Sequence, residues 1–142
     1  MVKSPFNQEE EEQNFIVAYA LEQSLKLKRS DSGLFYAVEG GDLDNRPDSA
    51  SVLSVAYKTT TVLGGDIVSS ASAEIPFVFS MDSPTIAGWK EAISLMGVGS
   101  KGVFLLPSRL GYGPDGNGEI PGETILRLDI ELLSKENKKK VN

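Results

Sequence analysis

Few of the residue types in this chain could do covalent chemistry. It has no histidine and no cysteine. A Ser-His-Asp triad, a cysteine nucleophile, a histidine general base and a Cys/His zinc site are all excluded. Disulfides are excluded too, so cysteine usage carries no information on the redox compartment. Carboxylates, hydroxyls, backbone donors and apolar surface remain. Asp115-Gly116-Asn117-Gly118-Glu119 superficially resembles a cation loop. Its spacing is too short, it lacks the distal bidentate glutamate of an EF-hand, and Asn117-Gly118 is a strong turn signal, so it reads as a plain loop. No metal and no cofactor are expected. The apolar material is richer: Trp89 is the single tryptophan, and Tyr57, Phe77 and Tyr112 are further large aromatics. By spacing alone, such side chains read as core.

The elements that must position these side chains follow from periodicity. Residues 1–7 read as a disordered leader, with Pro5 disfavouring helix at Ser4. Residues 8–28 contain no glycine or proline. The acidic run Glu9 to Glu12 suits a helix N-terminus, and Lys26, Lys28 and Arg29 suit its end. Val17, Leu21 and Leu25 recur at steps of four, so this amphipathic helix is expected to dock by that face on its own domain or on a second copy. Turn residues Ser30 to Gly33 then switch the period to that of strands, over residues 34–39 and 51–61. In the second of these, Leu53, Val55, Tyr57 and Thr59 share a face. Short segments follow around Ile67 and Val68 and around Phe77 and Phe79. Asp82-Ser83-Pro84 suits a helix entry, and Ile86, Trp89, Ile93 and Met96 carry helical spacing up to a stop at Gly97. Residues 102–107 and 125–133 close the domain, with Leu126, Leu128, Ile130 and Leu132 on one face of the last strand. One short helix among strands without βαβ alternation predicts an α+β domain. Its twisted antiparallel β-sheet of about five strands should wrap around that central helix, with the N-terminal helix as an extension.

The chain's 142 residues and 40% hydrophobic content suit one domain plus an appendage. The net charge of −6 argues against nucleic acid as a partner. The lysines of residues 135–142 read as a basic disordered tail. No apolar run is long enough to span a membrane, and the first residues lack the apolar core of a secretory signal.

Residues 32–133 resemble the FKBP-type peptidyl-prolyl cis-trans isomerases. The matching stretches are SGLFYAVEGGD, the VAY strand, PFVF, IAGWKEAISLMGVGSKGVFLLPSRLGYG and IPGETILRLDIELL. The most specific part is Gly-Trp-Lys-Glu at a helix start, then Met-Gly-x-Gly, then Pro-Ser-x-Leu-Gly-Tyr-Gly, then Ile-Pro. The resemblance implies an isomerase domain over residues 31–134, after a leader and helix over residues 1–30. It implies catalytic roles for Tyr57, Trp89 and Tyr112, with Trp89 beneath the prolyl ring. Substrate-binding roles fall to Ile67, Val68, Phe77, Ile86, Leu128 and, at the rim, Ile120. The Ile86 backbone N–H and the Tyr112 hydroxyl are the implied donors to ligand carbonyls. Implied partners are proline-containing polypeptides and macrolide-type ligands; apart from the resemblance, a rival structural reading has the helix of residues 8–28 mediate self-association, as in a homodimer, with the domain as an assembly part. The acidic helix ending LKLKRSDSGLFY is similar to the N-terminal extension of exported, lipid-anchored relatives in Gram-negative bacteria, especially Bacteroidetes. On that likeness a periplasmic or outer-membrane-anchored location is expected, with the export signal and anchoring cysteine outside this chain, and otherwise a cytoplasmic one.

The chain departs from the family pattern where Phe-Asp-Ser-Ser is usual and Ile67-Val68-Ser69-Ser70 stands instead. Val68 cannot replace a carboxylate that orients Tyr57, while Asp66 lies two residues earlier. A further family phenylalanine is Leu128 here, and the basic residue before Pro-Phe has no match. Two readings follow: a folding isomerase with reduced turnover, and a non-catalytic peptide-binding chaperone or scaffold on the same fold.

Overall fold

The structure, a computed structural model, describes residues 5–137, with side chains from Gln8 onward. Residues 1–4 of the expected leader and residues 138–142 of the expected tail lie outside the described residues. Helix α1 spans Pro5–Glu22. It begins before and ends well short of the range expected from the sequence, because Ser24 takes a left-handed backbone (φ 57°) and breaks the helix. Lys28 and Arg29, expected in the helix's last turn, form the two-residue strand β1 (Lys28–Arg29) instead.

The remaining elements are β2 (Phe35–Glu39), β3 (Ser51–Thr61), β4 (Ile67–Ala71), β5 (Phe77–Ser80), α2 (Ala87–Ser94), β6 (Lys101–Leu106), a 3-10 turn (Ser108–Leu110) and β7 (Leu126–Asn137). The α+β class is as expected, but among the described residues the antiparallel sheet has seven strands rather than about five, ordered β1-β2-β6-β7-β3-β4 with β5 also on β3. The strands that raise the count are short, with two residues in β1, five in β4 and four in β5, too few for a clear alternation. β7 also outruns its expected end and carries Lys135 and Glu136 opposite Leu53 and Val52.

β3 organises the sheet. It pairs with β7 along its whole length, with β5 over Val52 to Val55 and with β4 over Tyr57 to Thr60. Its other neighbour therefore changes between Val55 and Tyr57, and the sheet opens there. Inward-facing Leu53 and Val55, with Leu126, Leu128, Ile130 and Leu132 of β7, form the main core against Trp89, Ala92, Ile93 and Met96. α2 is shorter than its apolar spacing suggested. Its N-cap is Ile86, with an extended backbone and no side-chain cap bond, since an isoleucine side chain has no acceptor to offer; the expected entry at Ser83-Pro84 lies ahead of the helix.

β6 alternates between two cores. Phe104 and Leu106 enter the main one, while Leu105 joins Phe35, Val62 and Ile16 of α1 in a second. The docked face of α1 is Glu12, Ile16 and Ala20, all at least nine-tenths buried. The Val17 and Leu21 face expected to dock is instead exposed, at 44% and 76%. Polar ties explain the choice. Tyr19 accepts a hydrogen bond from Arg127 Nη1 at 2.9 Å, and Glu12 accepts two from Ser108.

Candidate functional site

Trp89 lies in the first turn of α2 and is nearly buried, at 6% exposure. Its neighbour must be small: a side chain on Gly88 would put its Cβ 2.3 Å from Leu106 Cδ2 and 2.9 Å from the Leu110 carbonyl oxygen. Glycine there lets the helix sit on β6 and the 3-10 turn, which fixes the depth of the indole. Three rings meet it edge-on: Tyr57 at 5.1 Å, Phe79 at 5.9 Å and Phe77 at 6.2 Å between centroids. Tyr57 and Phe77 also contact one another edge-on at 5.7 Å. Such pairs favour electrostatic register between ring edges and faces, each worth roughly 0.5–1.5 kcal/mol beyond area burial.

This box floors a cleft of about 380 Å³. Of the nine residues singled out by sequence, the structure brings six to it: Tyr57, Phe77, Ile86, Trp89, Tyr112 and Leu128. Three do not line it. Ile67 pairs with Thr60 across an irregularity in the β3–β4 register and is 65% exposed. The bulge turns Val68 to pack on the main core instead. Ile120 closes a tight turn by exchanging backbone hydrogen bonds with Asn117, both at 2.9 Å. Asp66 lies in the turn before β4, where its backbone bonds Thr61, and does not reach the cleft.

Sequence reasoning missed Thr59, Ser69, Phe79 and the Ser83-Pro84-Thr85 turn, which also line the cleft. Thr59 could have been found, since it shares the inward face of β3 with Tyr57. Ser69 depends on register: it sits opposite Thr59 and accepts a hydrogen bond from the Tyr57 hydroxyl at 3.1 Å. A hydroxyl thus orients Tyr57 where a carboxylate was missed in the sequence.

Three polar donors complete the site. The Tyr112 hydroxyl and the Ile86 backbone N–H have no partner among the described residues. The Trp89 indole N–H is buried and equally unpartnered. An unmade bond at a buried donor such as that indole N–H costs roughly 1–3 kcal/mol. Among the described residues no group of three or more His, Cys, Asp or Glu could hold a metal ion. A larger groove of about 650 Å³ runs between α1 and the sheet past Tyr19, Lys58, Arg127 and Asp129. Its central cation is already engaged: Arg127 Nε and Nη2 clamp Asp129 at 2.9 and 3.0 Å. That pairing, chiefly, holds the guanidinium pKa above its ordinary value.

Among the described residues, then, a seven-stranded antiparallel sheet packs around a short helix, and an aromatic cleft opens over its tryptophan. The family model of FKBP-type peptidyl-prolyl cis-trans isomerases matches residues 44–133, and the chain belongs to that family. FKBP-type peptidyl-prolyl cis-trans isomerase FkpA of Aeromonas hydrophila is 39% identical over 110 residues, covering 78% of this chain and 41% of that protein. FK506-binding protein 2 of Dictyostelium discoideum is 35% identical over 97 residues, covering 62% of this chain and 73% of that protein. The crystal structure of FkpA from Escherichia coli superposes with a TM-score of 0.77 at 27% identity, over 92% of this chain and 60% of that one. The chain thus spans about two-fifths of the FkpA of Aeromonas hydrophila.

Proposed function

We propose that this chain catalyses cis-trans isomerisation of X-Pro bonds in polypeptides and so assists folding, with the prolyl ring seated on Trp89. The observation that carries the reading is the combination of an aromatic box with unpaired donors at its edge. Rotation about X-Pro is opposed by amide resonance, with a barrier of roughly 18–20 kcal/mol. At the twisted midpoint resonance is lost and the amide is less dipolar, so an apolar cleft disfavours it less than the planar ground state. The Ile86 N–H and Tyr112 hydroxyl hold flanking carbonyls while the bond turns, so differential binding alone drives the reaction and no nucleophile is required. The Tyr57–Ser69 bond supports retained turnover despite Val68.

The same proposal assigns catalytic roles to Tyr57, Trp89 and Tyr112 and substrate-binding roles to Phe77, Ile86 and Leu128, within an isomerase domain over residues 31–134. It extends to macrolide-type ligands, supported by the name of FK506-binding protein 2, a relative. The N-terminal extension's likeness to exported relatives supports a periplasmic location, and the exposed Val17 and Leu21 of α1 support a homodimer through that helix. Among the described residues no helix is long and apolar enough to cross a membrane. A proline-peptide isomerisation assay tests the reading: the expected result is saturable acceleration that a macrolide blocks. Peptide binding without acceleration would select the non-catalytic chaperone instead.

A further inference from the structure

Resting on that reading, we infer that Glu12 of the N-terminal helix is a positioning residue for Tyr112, so that α1 completes the cleft from the far side of the domain. Glu12 is a carboxylate at 6% exposure, an unusual occupant of a helix face that packs on a core. Its oxygens accept hydrogen bonds from the Ser108 backbone N–H at 2.6 Å and the Ser108 hydroxyl at 2.7 Å. Gln8 Nε2 donates a third at 2.8 Å. Ser108 opens the 3-10 turn, whose own side chains supply no cap. The helix carboxylate thus does from 96 residues away what a local serine or aspartate does at other helix starts.

The other end of Ser108 carries the constraint to the cleft. Its carbonyl accepts from the amides of Gly111 at 2.9 Å and Gly113 at 2.8 Å, the two neighbours of Tyr112. One serine, pinned at its N–H and hydroxyl by Glu12, therefore holds the Leu110–Gly111 and Tyr112–Gly113 peptide units, one ahead of Tyr112 and one directly after it, and so constrains where its hydroxyl points. Arg109, next along the turn, adds an ion pair to Glu9 at 2.8 Å and a hydrogen bond to the Ser32 carbonyl, so α1 grips this turn at two points. The Gly113 carbonyl also accepts from the Glu123 N–H at 2.9 Å, so the segment stays anchored on that side; loss of the clamp frees the Ser108 side, and the tyrosine donor would sample positions away from the substrate carbonyl.

The test uses the full chain with Glu12→Ala, Glu12→Gln, Tyr112→Phe and the Glu12→Ala/Tyr112→Phe pair. Amide hydrogen exchange at Gly111 and Gly113 should quicken by about tenfold or more in Glu12→Ala, as expected for loss of charge-assisted bonds. Unchanged exchange would overturn the proposal whether or not the protein is an isomerase. In the proline-peptide assay, Glu12→Ala and Tyr112→Phe should each lower kcat/KM by roughly tenfold, and the pair should be no slower than Tyr112→Phe alone. Multiplied losses in the pair would mean Glu12 acts on general stability and not through Tyr112. Glu12→Gln keeps an acceptor for the Ser108 N–H, so it should restore protection and most turnover; a Gln variant as impaired as Ala would contradict the hydrogen-bond argument. A wild type without turnover would sink the isomerase reading while the exchange result still decides the clamp.

Discussion

Replacing Ile16 with alanine asks whether α1 is part of the domain or an appendage. Ile16 is fully buried between Phe35, Val62 and Leu105. The substitution deletes three carbons, which forfeits about 2.4 kcal/mol of transfer free energy at ~0.8 per carbon. The second core is small and lies under a single helix that can shift inward, so the added cavity cost is modest and the total is about 3 kcal/mol. For a domain of this size that corresponds to a fall in Tm of roughly 6–12 °C. Urea unfolding followed by far-UV circular dichroism gives the free energy directly, with an unchanged slope expected. A loss under about 1 kcal/mol for Ile16→Ala would refute the docking described for α1.

Other outcomes follow from the same geometry. Ser69→Ala removes the partner of the Tyr57 hydroxyl, so kcat/KM should fall by about two- to tenfold with little change in Tm, since such a bond is worth about 0.5–1.5 kcal/mol. Gly88→Ala drives a Cβ into Leu106 and the Leu110 carbonyl; thermal melting should show a loss of about 1–3 kcal/mol. The pH profile of turnover should be flat from about pH 6 to about pH 9, because no histidine or cysteine is present to titrate. Arg127 does not alter that expectation. Its pKa is raised, so its stabilising contribution is fully present below the ordinary arginine value and is lost only in strong alkali, as a melting series against pH would show.

The sequence made the α+β class legible because the long strands alternate cleanly: Leu126, Leu128, Ile130 and Leu132 all bury as that alternation predicts. It also made the floor of the cleft legible, since Trp89 and Tyr112 sit in the most specific stretch of family motif. What it hid was register and long-range polar contact. A single irregularity between Thr59 and Thr60 sets Ile67 opposite Thr60 and out in solvent, while Ser69, still in regular register, reaches the Tyr57 hydroxyl, and no residue type announces such a bulge. The helix face was hidden for a different reason. Apolar spacing favoured Val17 and Leu21, whereas the docked stripe is anchored by Glu12, a carboxylate whose partner lies in a distant turn. The acidic run reads locally as a helix-start signal, yet α1 begins at Pro5, and two of those glutamates, Glu9 and Glu12, fasten the helix to the domain.

The most direct measurement of the central claim is the isomerisation rate of a proline peptide with wild type and Trp89→Ala, at enzyme concentrations where both remain folded by circular dichroism. If the prolyl ring rests on the indole, kcat/KM should fall by at least about tenfold, the equivalent of ~1.4 kcal/mol of transition-state binding. Equal rates in the two proteins would contradict the account.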